Sequence, residues 1–170
     1  DIINRMQNAM KKFMKGAWSN RTAGLPLKNP KEALVLASII EKETGVQEER
    51  SHVAAVFINR LRIGMPLQSD PTVIFGVTMG QRSLGRAISK ADLRTVTSYN
   101  TYLIKGLPPG PITNPGSASI LAALHPKKSK DLYFVANGKG GHAFSSSFEE
   151  HKQNVVKWRK VRTKIRNTIN

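Results

Sequence analysis

The chain has 170 residues, 39% hydrophobic and 22% charged, a size and balance that suit one soluble domain with a real core. It has no cysteine, which excludes disulfides and thiolate metal sites, and no apolar run near the roughly 20 residues a membrane span needs. Its 27 Lys and Arg against 11 Asp and Glu give a net charge of +16, which favours an anionic partner: nucleic acid, anionic lipid headgroups or an acidic cell-surface polymer.

No basic-then-apolar signal peptide opens the chain, and Asp1 rather than Met stands first, so a piece of a longer protein is expected. Residues 2–17 read as an amphipathic helix capped by Asp1, with Ile3, Met6, Met10, Phe13, Met14 and Ala17 on one face. A loop with Gly24, Pro26 and Pro30 follows, then a helix over 30–43 stopped by Gly45. A third helix over 47–62 buries Val53, Val56, Phe57 and Leu61. Residues 65–77 hold two prolines and then a β-branched, aromatic run, which predicts a loop leading into a short strand. After a glycine-broken excursion over 78–88, Ser89 to Asp92 resembles a capping box that starts one helical turn.

Residues 106–116 contain four prolines and three glycines and form a stiff loop. Ser117 caps a helix to His125 that buries Ile120, Leu121 and Leu124. Residues 131–136 and 142–145 read as two strands joined by a turn at Asn137-Gly138-Lys139-Gly140-Gly141. A basic amphipathic helix over 148–168 closes the chain, with Val155, Trp158, Val161 and Ile165 on its apolar side. The class is therefore α+β, several helices with a small, mainly antiparallel sheet or hairpins.

One residue breaks the pattern of its own helix. Leu36, Ile39, Ile40 and position 43 follow the i, i+3, i+4, i+7 spacing of a buried stripe, yet position 43 is Glu. Glu43 lies within about 40° of Leu36 and Ile39 on the helical wheel, whereas Glu41 falls toward the flank with Ser38. A carboxyl group at the end of an apolar stripe loses solvent, holds its proton more tightly and suits a general acid. The alternative is a salt-bridged Glu in a frayed last turn. Asp70, among the polar groups of Gln68, Ser69 and Thr72, is a second acid of interest, or an Asx turn before Pro71. Tyr99, Asn100 and Tyr102 offer rings and amides suited to a sugar, or to ordinary packing. His142 stands at a hairpin edge.

Other chemistries find little support. His52, His125, His142 and His151 are scattered without metal-ligand spacing, there is no Gly-x-Ser-x-Gly elbow, and the glycine turn lacks phosphate-loop spacing. No metal or cofactor is expected. Aromatics at 6% do not interleave with the basic residues, so no nucleic-acid partner is expected either. Attraction of the basic C-terminal helix to an anionic membrane surface is a further expectation.

The segments Leu36-Ala37-Ser38-Ile39-Ile40-Glu41-Lys42-Glu43-Thr44, Val56-Phe57-Ile58-Asn59-Arg60-Leu61, Gln68-Ser69-Asp70-Pro71-Thr72-Val73-Ile74, Tyr99-Asn100-Thr101-Tyr102, Gly106-Leu107-Pro108-Pro109-Gly110-Pro111-Ile112 and Leu132-Tyr133-Phe134-Val135 together resemble the YceG-like (MltG) endolytic murein transglycosylases. The resemblance is nearly collinear from about residue 20 to 158. It implies one catalytic domain over 1–170, with the membrane helix and LysM-like domain that usually precede it in the family absent. It also implies Glu43, the second acid of Glu-Lys-Glu, as the catalytic residue, and peptidoglycan glycan cut to leave 1,6-anhydro-N-acetylmuramic acid ends. A periplasmic location, an anchor in the cytoplasmic membrane and peptidoglycan synthases as partners are implied in the same way. Gln68, Ser69, Asp70, Thr72, Tyr99, Asn100, Tyr102 and His142 are the candidate substrate-binding or orienting residues. A hydrolytic muramidase using Glu43 and Asp70, or a basic glycan- or nucleic-acid-binding module without catalysis, are the rival readings.

Overall fold

Asn29 opens the helix around which the rest is assembled. Its side-chain oxygen accepts the Glu32 N–H at 3.0 Å, Pro30 sits in the first turn, and Glu32 reaches back to the Lys28 N–H at 2.7 Å. These contacts satisfy donors that a helix start leaves unpaired. In the computed structural model, which describes residues 1–169, this is α2 (Pro30–Glu43). It follows α1 (Ile2–Ser19) and precedes α3 (Arg50–Arg62), α4 (Asp70–Thr78), the single turn α5 (Lys90–Leu93), α6 (Ser117–Leu124) and α7 (Phe148–Ile169). Strands β1 (Tyr133–Ala136) and β2 (His142–Ser145) lie between the last two helices, and a 3-10 turn, Gln47–Glu49, leads into α3.

Every residue from Val35 to Ile40 is buried, so α2 is enclosed on all sides rather than along one stripe. Helices α6 and α3 pack on it and on each other, α4 meets it, and α1 lies against α6 and α2. Leu36, Ile39, Ile40, Val53, Phe57, Ile58, Ile120 and Leu124 form the shared core. The strands pair antiparallel, with Phe134 opposite Phe144 and Ala136 opposite His142. Helix α7 covers this hairpin so closely that a Cβ at Gly138 would overlap Val161. The architecture is α+β, as the sequence predicts. Among the described residues no helix is long and apolar enough to cross a membrane.

Local devices hold the loops. Asp1 caps α1 through the Ile3 N–H, and Ser89 with Asp92 forms the expected capping box, reinforced by a bidentate Arg86. The proline-rich loop is pinned to α2 where the Ser38 hydroxyl oxygen accepts the Ile112 N–H at 3.0 Å.

The structure corrects several expectations. Residues 70–78 form α4 rather than a strand, so the only sheet among the described residues is the two-stranded hairpin. Gly116 rather than Ser117 is the N-cap of α6, and Leu121 is exposed. Helix α2 does stop where expected, with Thr44 as an extended C-cap and Gly45 following at C′. Ile3 and Met6 on α1 and Ile165 on α7 are also exposed, so both apolar faces are covered only in part.

Candidate active site

Glu43 ends α2, and its side chain stands over a knot of hydroxyl groups. The buried Ser69 hydroxyl donates to Glu43 Oε1 at 2.5 Å. Ser69 in turn donates its N–H to Thr101 Oγ1 at 2.9 Å, and the Gln68 N–H reaches the Thr101 carbonyl at 3.1 Å. The Thr72 hydroxyl donates to the Ser69 carbonyl at 2.6 Å. With that proton engaged, Thr101 must be the donor in the 2.7 Å bond between the two threonine hydroxyls. This buried network binds the 68–72 and 99–102 segments together. Gln68 sits at its edge in the left-handed region, at φ 53°. A non-glycine residue holds that conformation only when its surroundings impose it.

A cleft of about 190 Å³ opens beside Glu43. Phe57, Leu67 and Phe134 supply apolar wall, while Glu43, Arg60, Gln68, Asp70 and Tyr102 supply polar groups. Tyr102 donates its phenolic hydrogen to Asp70 Oδ1 at 2.6 Å. Burial, followed by this bond and the Asp70 charge, holds the phenol above its ordinary value. A larger recess, about 520 Å³, lies between the start of α2 and the proline-rich loop. Its one acid, Glu32, is already engaged by the Lys28 N–H, so it lacks the convergent acid of the smaller cleft.

Burial pushes the Glu43 carboxyl up to about 7, and the nearby Asp70 charge adds to the effect. The Ser69 hydrogen bond, His142 and Arg60 work against it. Part of the residue faces the cleft, but protein surrounds most of the carboxyl group. Such a group is poised to give up a proton near neutrality and take one back. Glu41 behaves in the opposite way. Its carboxylate accepts the Ser119 hydroxyl at 2.6 Å and the Gly116 N–H at 3.1 Å, which holds it below the usual range.

The other sequence candidates divide by place. Gln68, Asp70 and Tyr102 line the cleft with Glu43, and Ser69 lies beneath the acid. Thr72 is fully buried in the hydroxyl knot. Asn100 is also fully buried: its amide donates to the Leu93 and Thr95 carbonyls, and its oxygen accepts the Tyr102 N–H at 3.0 Å. Its polar atoms are thus engaged inside the protein and hold the loop. Tyr99 packs against Phe75 with ring centroids 4.7 Å apart, away from the residues lining the cleft. His142 is not among the residues lining the cleft; its ring stands edge-on to Phe134, which is, and its charge works on Glu43 from there.

Sequence reasoning missed Arg60. Its Nε donates to the Leu132 carbonyl at 2.7 Å and its Nη1 to the Leu67 carbonyl at 2.6 Å, tying the cleft loop to the approach to β1. The signal was available: Val53, Val56, Phe57 and position 60 repeat the stripe spacing that singled out Glu43, again with a charge in an apolar place.

Comparison with known proteins shows what the chain is similar to. An endolytic murein transglycosylase of Bacillus subtilis (strain 168) is 42% identical over 125 residues, 74% of this chain and 34% of the relative. One from Streptococcus pneumoniae serotype 2 is 35% identical over 162 residues, 91% of this chain and 28% of the relative. The chain thus spans about a third of the length of these relatives. The crystal structure of a putative yceG-like protein from Listeria monocytogenes superposes with a TM-score of 0.67 at 44% identity, covering 73% of this chain and 39% of that one. A sequence profile of the YceG-like family matches residues 1–157, and the chain belongs to that family.

Proposed function

We propose that this chain is the catalytic domain of an endolytic murein transglycosylase, acting within peptidoglycan glycan strands in the bacterial cell envelope. The observation that carries the reading is the Glu43 carboxyl, pushed up to about 7 at the wall of a polar cleft. The names of the relatives support it.

Protonated Glu43 donates to the glycosidic oxygen between N-acetylmuramic acid and N-acetylglucosamine, and that C1–O bond breaks. The resulting carboxylate removes the proton of the muramoyl C6 hydroxyl, whose oxygen closes onto C1 of the same sugar. The product is a 1,6-anhydro end, Glu43 regains its proton, and no water is consumed. One carboxyl group thus serves as acid and then as base, where hydrolytic glycosidases use two. Gln68, Asp70 and Tyr102 offer the sugar hydrogen-bonding groups, and Phe134 offers apolar wall. Peptidoglycan synthases are partners in this reading, and the basic α7 suits an anionic membrane surface. The active domain stands on the periplasmic side, held by a membrane anchor elsewhere in the longer protein.

Asp70 favours one rival, because it brings a second carboxyl group to the same cleft. In a hydrolytic muramidase it would activate water or attack C1. Mass spectrometry of digested glycan separates the two, since hydrolysis adds one water and leaves a reducing end. Anhydro ends from the parent protein and none from Glu43→Gln are the expected result. Reducing ends from the parent, or near-normal turnover by the variant, would overturn the proposal.

A further inference from the structure

Two histidine–carboxylate pairs fasten the β-hairpin to the start of α3, and each side contributes one member of each kind. His52 Nε2 on α3 lies 2.6 Å from Asp131 Oδ2, ahead of β1. That oxygen also accepts the Ser129 hydroxyl at 2.7 Å, and Phe144 lies flat on the His52 ring at 3.6 Å. This pair fastens the hairpin without adjoining the cleft.

The second pair makes two bonds between the same two residues, and its ring touches the cleft wall. Glu49 Oε1 accepts the His142 main-chain N–H at 2.9 Å, and Oε2 takes the ring Nδ1 at 2.7 Å. One carboxylate therefore fixes both the backbone and the ring of a single residue. Burial works against the charge on Glu49, but the His142 ring and N–H more than offset it and hold the carboxyl below its usual value. Against an ionised carboxylate Nδ1 has to be the donor, in the neutral ring and the cationic one alike, which fixes the orientation of the ring. Gly141 makes the approach possible, because a Cβ there would overlap the Glu49 carboxylate. The His142 ring stands edge-on to Phe134 at 5.3 Å, and Phe134 is cleft wall.

We infer that Glu49 is a positioning residue for the reaction: by holding the backbone and ring of His142 it fixes the hairpin wall that carries Phe134, which lines the cleft with Glu43. The inference rests on the reading of Glu43 as the acid. The groups acting on Glu43 are Asp70 from α4, Arg60 from α3, His142 from β2 and the Ser69 hydroxyl, within a buried setting. Releasing the imidazole frees the edge-on contact that holds Phe134 against the cleft.

The test is the kinetics of anhydro-product formation by Glu49→Gln and, from the opposite side of the contact, Gly141→Ala. Both are expected to lower kcat by about threefold to tenfold while raising KM less. Asp131→Asn, which breaks the other pair, is expected to lower thermal stability without this split between kcat and KM. Parental kcat in Glu49→Gln, or the same split in Asp131→Asn, would overturn the inference. Nitrogen-15 NMR of the histidine rings in the unmutated protein gives a reading independent of variant folding. His142 is expected to carry its proton on Nδ1, and a bare Nδ1 would overturn the inference directly. Turnover by Glu43→Gln would instead overturn the assignment of the acid, so the two failures are distinguishable.

Discussion

Glu41 and Glu43 stand two positions apart on α2 and hold their protons in opposite senses. At about 100° per residue they point to nearly opposite sides of the helix. Glu41 meets the start of α6, where the Ser119 hydroxyl and the Gly116 N–H stabilise its charge. Its negative charge stands at the N-terminal end of that helix, where the helix dipole favours it. Glu43 meets the cleft, with one hydroxyl donor and a neighbouring acid. The last turn of α2 thus separates a carboxylate held ionised by its partners from a carboxyl group that holds its proton near neutrality.

The raised value at Glu43 has a cost that depends on pH. Its folded value of about 7 exceeds the ordinary 4.5, so the stabilisation it gives is full below about pH 4.5 and is lost as pH rises through 7. The difference corresponds to at most about 3 kcal/mol. Gln at this position is neutral at all pH values and can still accept the Ser69 hydroxyl. Glu43→Gln is therefore expected to melt above the parent at about pH 8 and close to it near pH 4. Thermal unfolding at both pH values checks this, and a variant less stable than the parent at the higher pH would contradict it.

Asp70 acts on the same carboxyl group with the opposite sign to His142. Its negative charge helps Glu43 retain a proton, and Tyr102 holds Asp70 in place through their 2.6 Å bond. Asp70→Asn removes the charge while leaving an oxygen to accept the phenol. The alkaline limb of the pH–rate profile is expected to move downward, by about half a pH unit to one unit. An unmoved limb would show that the Asp70 charge does not reach Glu43. Complete loss of turnover with Glu43 still titrating near 7 would favour the two-carboxylate hydrolytic route.

Helices α2 and α3, the Ser89–Asp92 capping box and the hairpin were legible because each carries its own signal: periodic burial, a cap, or a glycine turn. Helix α4 was not. Its mainly β-branched and aromatic stretch, Val73, Ile74, Phe75 and Val77, matches a strand by composition, while burial on several sides removes the polar face that would show a 3.6-residue rhythm. Its start is also disguised, because Ser69 stands at the N-cap position but gives its hydroxyl to Glu43 and makes no cap bond. At the site, Glu43 could be found from one helix alone. Asn100 could not be assigned, since a loop Asn reads the same whether its amide faces a sugar or the carbonyls of Leu93 and Thr95. The Asp70–Tyr102 pair spans 32 positions, beyond any local pattern.

Arg60 joins the two walls of the cleft from a buried position. Its Nε and Nη1 reach carbonyls at Leu132 and Leu67, with a longer contact of 3.4 Å to Pro66, and its guanidinium stands 5.5 Å from the Tyr133 ring centroid. Burial lowers its hold on its proton, yet a guanidinium stays cationic in a folded protein. The planar fork serves two segments at once, which one ammonium group on a flexible stem does not reproduce. Arg60→Lys is therefore expected to leave at least one buried carbonyl unpaired and cost roughly 1 to 3 kcal/mol in denaturant unfolding. The loop it holds carries Gln68 in its left-handed conformation and Ser69 under the acid. Turnover per folded molecule is accordingly expected to fall as well, by about tenfold or more. A variant of parental stability and parental turnover would show that the loop keeps its place without the fork.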